Sequence, residues 1–190
     1  MVFEKIKLFL QTIFMDRFRN YDIAFVGLKA GKHDFNYEIT QAFFDLFETE
    51  QEFFKPNINV NVLLDKHTTF LEFIFEVTGT VQLICDISNE EFSENIENDL
   101  KVLVKFGEEY DDSNEDVITI NRKDSDFNIA NLIYETVVLS IPMKKVAPSV
   151  KDNDEYQNLL DQYSPKIIEK EEEEQTDPRW EALKKLKDNN

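Results

Sequence analysis

Residues 58–85 read INVNVLLDKHTTFLEFIFEVTGTVQLIC, and this stretch decides the fold. Ile58, Val60 and Val62 alternate with asparagines, which places apolar side chains on one side of an extended chain and amides on the other. Leu63-Leu64 runs into a turn at Asp65-Lys66-His67, and 70–77 is rich in aromatic and β-branched residues, with Gly79 as punctuation. Val81, Leu83 and Cys85 then share one side, opposite Thr80, Gln82 and Ile84. Downstream, Ile96, Leu100, Val102 and Val104 mark 92–106 as one long strand or a pair. Upstream, 22–28 reads as a strand ending at the turn Lys29-Ala30-Gly31-Lys32, after which Phe35, Tyr37 and Ile39 alternate with polar residues. Connections this short suit an antiparallel meander.

Two helices are expected beside these strands. Ile39, Ala42, Phe43, Leu46 and Phe47 form one apolar stripe. Ile129, Leu132, Ile133 and Val137 form another, capped by Asp126 or Asn128 and stopped by Pro142. Between them, 111–116 reads as an acidic loop and 117–120 as a short strand. The expected fold class is therefore α+β: a mostly antiparallel, curved sheet from about residue 20 to 120, open or a partial barrel, with two packing helices.

The ends differ in composition from the body at 19–148. Residues 1–18 form an extension in which Phe3, Ile6, Leu10 and Ile13 have helical spacing; Met1 and Met15 both stand as possible natural starts. Residues 149–176 are poor in apolar side chains and end in the acidic run Glu169-Lys170-Glu171-Glu172-Glu173-Glu174, which reads as a self-repelling linker. That run has two readings, a solvated tether and a charge mimic of nucleic acid. Residues 177–190 read as a short amphipathic helix with Asp177 as N-cap and Pro178 at its first position. Trp180, Leu183 and Leu186 share a face, and Arg179, Lys184, Lys185 and Lys187 form the basic cluster of the chain. So short a helix needs something to dock on, its own domain or a partner.

The formal charge is −18, from 39 acidic and 21 basic residues, and such a surface repels a phosphate backbone. A basic protein partner is expected ahead of direct contact with RNA. Catalysis is hard to build from this chain. Its two histidines, His33 and His67, lie in lysine-flanked turns, its four glycines are scattered, and no serine or cysteine has a base in a recognisable motif. No enzyme activity, cofactor, metal or small-molecule substrate is expected. The one cysteine, Cys85, permits no internal disulfide, in keeping with the cytoplasm. The apolar run at 8–14 is too short for a bilayer and has no cleavage site, so neither a membrane span nor a signal peptide is expected.

Three segments together resemble the YceD family. Gly79-Thr80-Val81-Gln82-Leu83-Ile84-Cys85-Asp86-Ile87-Ser88-Asn89-Glu90-Glu91-Phe92 is similar to its central signature, a strand entering a C-x-x-C turn followed by a phenylalanine. Tyr134-Glu135-Thr136-Val137-Val138-Leu139-Ser140-Ile141-Pro142 resembles its helix closing in an acidic residue, an aliphatic run and proline. Asp177-Pro178-Arg179-Trp180-Glu181-Ala182-Leu183-Lys184-Lys185-Leu186 resembles its terminal segment, and with the opening at 21–31 the likeness spans about 19–188. Cys85, Phe92, Glu135, Pro142 and Pro178 are the motif positions. The resemblance implies a non-enzymatic factor in accumulation of large-subunit ribosomal RNA and leaves its molecular act open; the charge adds a basic ribosomal or assembly protein as the expected partner. A direct contact with that RNA, or an acidic interaction module unrelated to ribosomes, are the alternatives. The sequence departs from the family where Ser88 replaces the second cysteine and where cysteines expected after Pro142 are absent, so a metal role is not carried over.

Overall fold

The computed structural model describes residues 17–47, 49–114, 116–151 and 162–163. The expected helices at 3–14 and 177–187, most of the linker, and the residues Pro178, Arg179, Trp180, Leu183, Lys184, Lys185, Leu186 and Lys187 lie outside them. Eight strands are present: β1 (Asp22–Ile23), β2 (Gly31–Ile39), β3 (Phe54–Lys66), β4 (Phe70–Ile84), β5 (Glu91–Gly107), β6 (Asp111–Asn114), β7 (Val117–Asn121) and β8 (Phe127–Asn128). Among the described residues the helices α1 (Gln41–Phe44), α2 (Ala130–Ser140) and α3 (Pro148–Lys151) accompany them, with a 3-10 turn at Arg19–Tyr21. Six strands form one open sheet in the order β2-β3-β4-β5-β7-β6, and β1 pairs with β8 in a separate two-stranded ribbon. The sheet is not closed into a barrel.

Alternation builds the large sheet. From β2 to β5 each strand pairs antiparallel with the next, so Phe35 lies opposite Val62, Val62 opposite Phe75, and Phe75 opposite Leu100. The inward set includes Val60, Val62, Leu64, Phe73, Phe75, Val77, Val102 and Val104, all fully buried. Beyond Gly107 the order changes. β7 pairs parallel to β5, and β6 completes the edge antiparallel to β7.

Helix α2 covers the apolar side. Ile133 and Val137 are fully buried, and the Asn98 amide on β5 donates to the Thr136 carbonyl at 2.9 Å, tying helix to sheet. Neither expected cap holds the N-cap position, which Ile129 occupies with no side-chain cap; Asn128 makes a turn just before the helix, its Oδ1 accepting the Ala130 N–H at 3.0 Å. Asp126 instead accepts from the Ser125 hydroxyl at 2.7 Å. The helix ends where Ile141 turns extended (φ −74°, ψ 126°), the conformation that a following proline imposes. An aromatic cluster fills one end of the body: Phe47 stacks on Tyr134 at 4.3 Å, and the Tyr134 hydroxyl meets that of Thr49 at 2.8 Å.

Several sequence expectations are corrected here. The segment expected as a strand at 22–28 is extended only at Asp22–Ile23, and its later part is a turn clamped by Lys66, whose Nζ donates to the carbonyls of Phe25 (2.7 Å) and Leu28 (2.8 Å). β3 consumes Asp65 and Lys66, so the turn falls at 67–69. The expected helix from Ile39 to Phe47 shrinks to Gln41–Phe44, because Ile39 closes β2. Gly79 does not interrupt a strand; β4 runs straight through it. A Cβ there would stand 2.6 Å from the Cα of Ile58 and collide with the Asn57 carbonyl, so the glycine permits a close approach of two backbones. The acidic loop at 111–116 contains a strand, β6, made by its backbone despite four exposed side chains. Val150, two residues into the expected linker, is 1% exposed in α3.

Candidate functional site

Cys85 follows the last residue of β4 and opens a tight turn. Its N–H donates to the Glu90 carbonyl at 2.9 Å, the Asn89 N–H returns to the Cys85 carbonyl at 3.0 Å, and Asn89 takes the left-handed conformation that asparagine tolerates (φ 57°). The segment after Pro142 comes back to this turn. Asp86 N–H donates to the Lys145 carbonyl at 2.8 Å, while Lys145 N–H donates to Asp86 Oδ2 at 2.8 Å. The buried thiol accepts the Ala147 N–H at 3.3 Å and the Ser88 N–H at 3.5 Å. The Lys145 ammonium pairs with Glu52, and Ser149 hydrogen-bonds Glu90.

This arrangement sets the chemistry of the sulfur. Burial pushes the Cys85 thiol up, but the N–H groups of Ala147 and Ser88 that point at the sulfur outweigh it and bring the pKa down to about 7. The residues do not fit a metal. Ser88 occupies the second C-x-x-C position, backbone N–H groups already point at the sulfur, and among the described residues no three His, Cys, Asp or Glu side chains gather as a metal site. The turn is a structural knot between β4 and the segment that follows α2.

The motif positions divide. Cys85 and Phe92 are buried at the two sides of the knot, and Pro142 starts the segment that returns to it. Glu135 is exposed on α2, away from the sulfur chemistry, and its charge reaches the hydroxyl of Tyr110. His33 Nε2 lies 2.9 Å from the Lys29 carbonyl, and His67 stacks on Phe70 at 4.3 Å with its Nε2 3.7 Å from Asp65 Oδ1.

The sheet also has a second side, which no described element covers. Across β2, β3, β4 and β5 it presents rows fixed by register: Glu38-Asn59-Thr78-Glu97, then Asn36-Asn61-Glu76-Asp99, then Asp34-Leu63-Ile74-Lys101. The first two rows are exposed throughout, whereas Leu63 and Ile74 are half-buried. The Lys101 ammonium pairs with Glu72 at 2.7 Å. Among the described residues no cation pairs with Glu38, Glu76, Glu97 or Asp99. Sequence reading found the acidity but missed these rows, since only strand register brings Glu76 opposite Asp99. The signal was available in the asparagines that alternate with Ile58, Val60 and Val62.

Fold and surface thus define an open-sheet α+β protein with one helix-covered face and one acidic face that no described residue covers. Residues 73–187, more than half of the chain, match the family described as large ribosomal RNA subunit accumulation protein YceD, and the chain belongs to that family. The match begins inside β4, a shorter span than the likeness read over 19–188, and leaves β1, β2 and β3 before it. No curated protein and no solved structure matches the chain. Among the described residues no helix is long and apolar enough to cross a membrane.

Proposed function

We propose that this YceD-family protein serves the accumulation of large-subunit ribosomal RNA in the cytoplasm without catalysis, by holding a basic ribosomal or assembly protein. The observation that carries the reading is the charge: 39 acidic against 21 basic residues give −18, a field that attracts basic polypeptides and opposes phosphate. The family description supplies the ribosomal context. The Trp180, Leu183 and Leu186 face at the C-terminal end of the sequence serves as an anchor for the partner in this reading.

The test is a pull-down with the tagged full chain, with and without ribonuclease. Recovery of large-subunit ribosomal proteins that survives ribonuclease supports the proposal. Recovery that vanishes with the RNA replaces it with direct rRNA binding, for which Arg179, Lys184, Lys185 and Lys187 are the available cations. Ending the chain after Thr176 is expected to weaken partner recovery while leaving the melting temperature of the body unchanged. A body that unfolds on this truncation would make the segment structural and remove its anchoring role.

A further inference from the structure

We propose that the face of the sheet that no described element covers, centred on Glu76 and Asp99, is the docking surface for an arginine- and lysine-rich segment of a protein partner. The inference rests on the proposed basic partner and deepens it by naming the surface.

Three observations converge on this face. First, Glu76 and Asp99 are direct cross-strand partners, and directly opposed like charges destabilise a sheet. Their neighbours worsen the conflict, since Glu97 lies in the adjacent row on the same strand as Asp99. Among the described residues Glu76 is met by the Asn61 amide, at 3.4 Å, and no cation neutralises the pair. A stable sheet gains nothing from such a pair, whereas a surface that receives positive charge does. Second, the next row sets half-buried Leu63 against half-buried Ile74, on the same exposed side. An aliphatic strip beside a carboxylate strip complements the two parts of an arginine or lysine: methylenes lie over Leu63 and Ile74, and the charged head reaches Glu76 and Asp99. Third, the described lysines on this face, Lys32, Lys101 and Lys105, all stand in other rows than the Glu76–Asp99 pair, and Lys101, the nearest in register, is engaged by Glu72. Adjacent strands are about 4.8 Å apart, so the rows spread their charge over a flat area wide enough for several side chains of an extended or helical segment. Nucleic acid does not fit, because its phosphates would meet the same carboxylates.

The probe is a short fluorescent peptide of alternating arginine and alanine, titrated into the full-length protein at low and moderate salt. E76Q/D99N removes two charges from the face, and D111N/D112N removes two from the exposed edge strand β6. Binding is expected to weaken about tenfold in E76Q/D99N and less than about twofold in D111N/D112N. The melting temperature of E76Q/D99N should rise, because an opposed pair is neutralised, which shows that lost binding is not lost folding. Equal weakening in both variants would mean a general charge effect and overturn the docking surface, while leaving the basic-partner reading in place. Undiminished binding in E76Q/D99N would do the same. A wild-type chain that ignores the peptide but binds a large-subunit rRNA fragment would overturn both.

Discussion

The two faces of the strands β2–β5 share one backbone and obey opposite rules. On the covered side Phe73 and Phe75 are fully buried, and Lys66, opposite Leu71 in the same set of rows, turns its ammonium to the carbonyls of Phe25 and Leu28. On the other side the residues that alternate with Phe73 and Phe75, namely Glu72, Ile74 and Glu76, belong to rows that mix carboxylates, amides and a narrow aliphatic strip. The covered side is optimised for packing, as close-packed cores require. The uncovered side tolerates an electrostatic conflict that a few substitutions would remove. Stability and recognition are separated by nothing more than the two-residue period of a strand.

The largest expected effect tests whether the sides are so unequal. Phe75→Ala should cost about 3–5 kcal/mol in denaturant unfolding, and Ile74→Ala, its neighbour on the opposite side, less than about 1 kcal/mol. Similar losses would mean that the uncovered side is packed after all. Gly79→Ala comes next. Its methyl would point at Ile58 and Asn57, forcing β3 and β4 apart for about 1–3 kcal/mol. A silent substitution would show that the two backbones are not so close.

Cys85 sharpens the comparison through pH. Its folded-state pKa of about 7 lies below the ordinary thiol value of 9.0, so between those values the unfolded chain holds a proton that the folded chain has released. Stability therefore rises with pH across that window, is complete above 9.0, and is lost as pH falls through about 7. Cys85→Ser should flatten this dependence, measured as denaturation midpoints at successive pH values; an unchanged slope would remove the thiolate from the account. The smallest effect belongs to the uncovered side, where Glu76→Gln should stabilise by about 0.2–1 kcal/mol, and a loss of stability would contradict the unpaired charge.

How much of this was legible in the sequence depends on the range of the physics involved. The alternation of Ile58, Val60 and Val62 announces a strand because side-chain direction is a local consequence of an extended backbone. The stop at Pro142 was readable for the same reason, whereas the N-cap fell on Ile129, one residue past the asparagine that sequence favoured. Gly79 was misread because a glycine in a turn and a glycine under a neighbouring backbone look identical without the neighbour, here Ile58. β6 was missed because Asp111 to Asn114 carry no apolar period, and their pairing is made by the backbone with β7. The parallel pairing of β5 with β7, and the contact of Ala147 with a sulfur 62 positions away, belong to tertiary geometry. For the candidate surface, composition supplied its sign, while register alone supplied its place.

The meander order of β2 to β5 also has a temporal meaning. A chain made from its N-terminus completes these four neighbouring strands before Phe127 and the helix Ala130–Ser140 have been synthesised, so Phe73 waits for the ring of Phe127 that packs on it at 5.3 Å. During that interval the nascent sheet is greasy on one side and strongly anionic on the other. Mutual repulsion between the anionic sides keeps growing chains apart while their sticky sides wait to be covered.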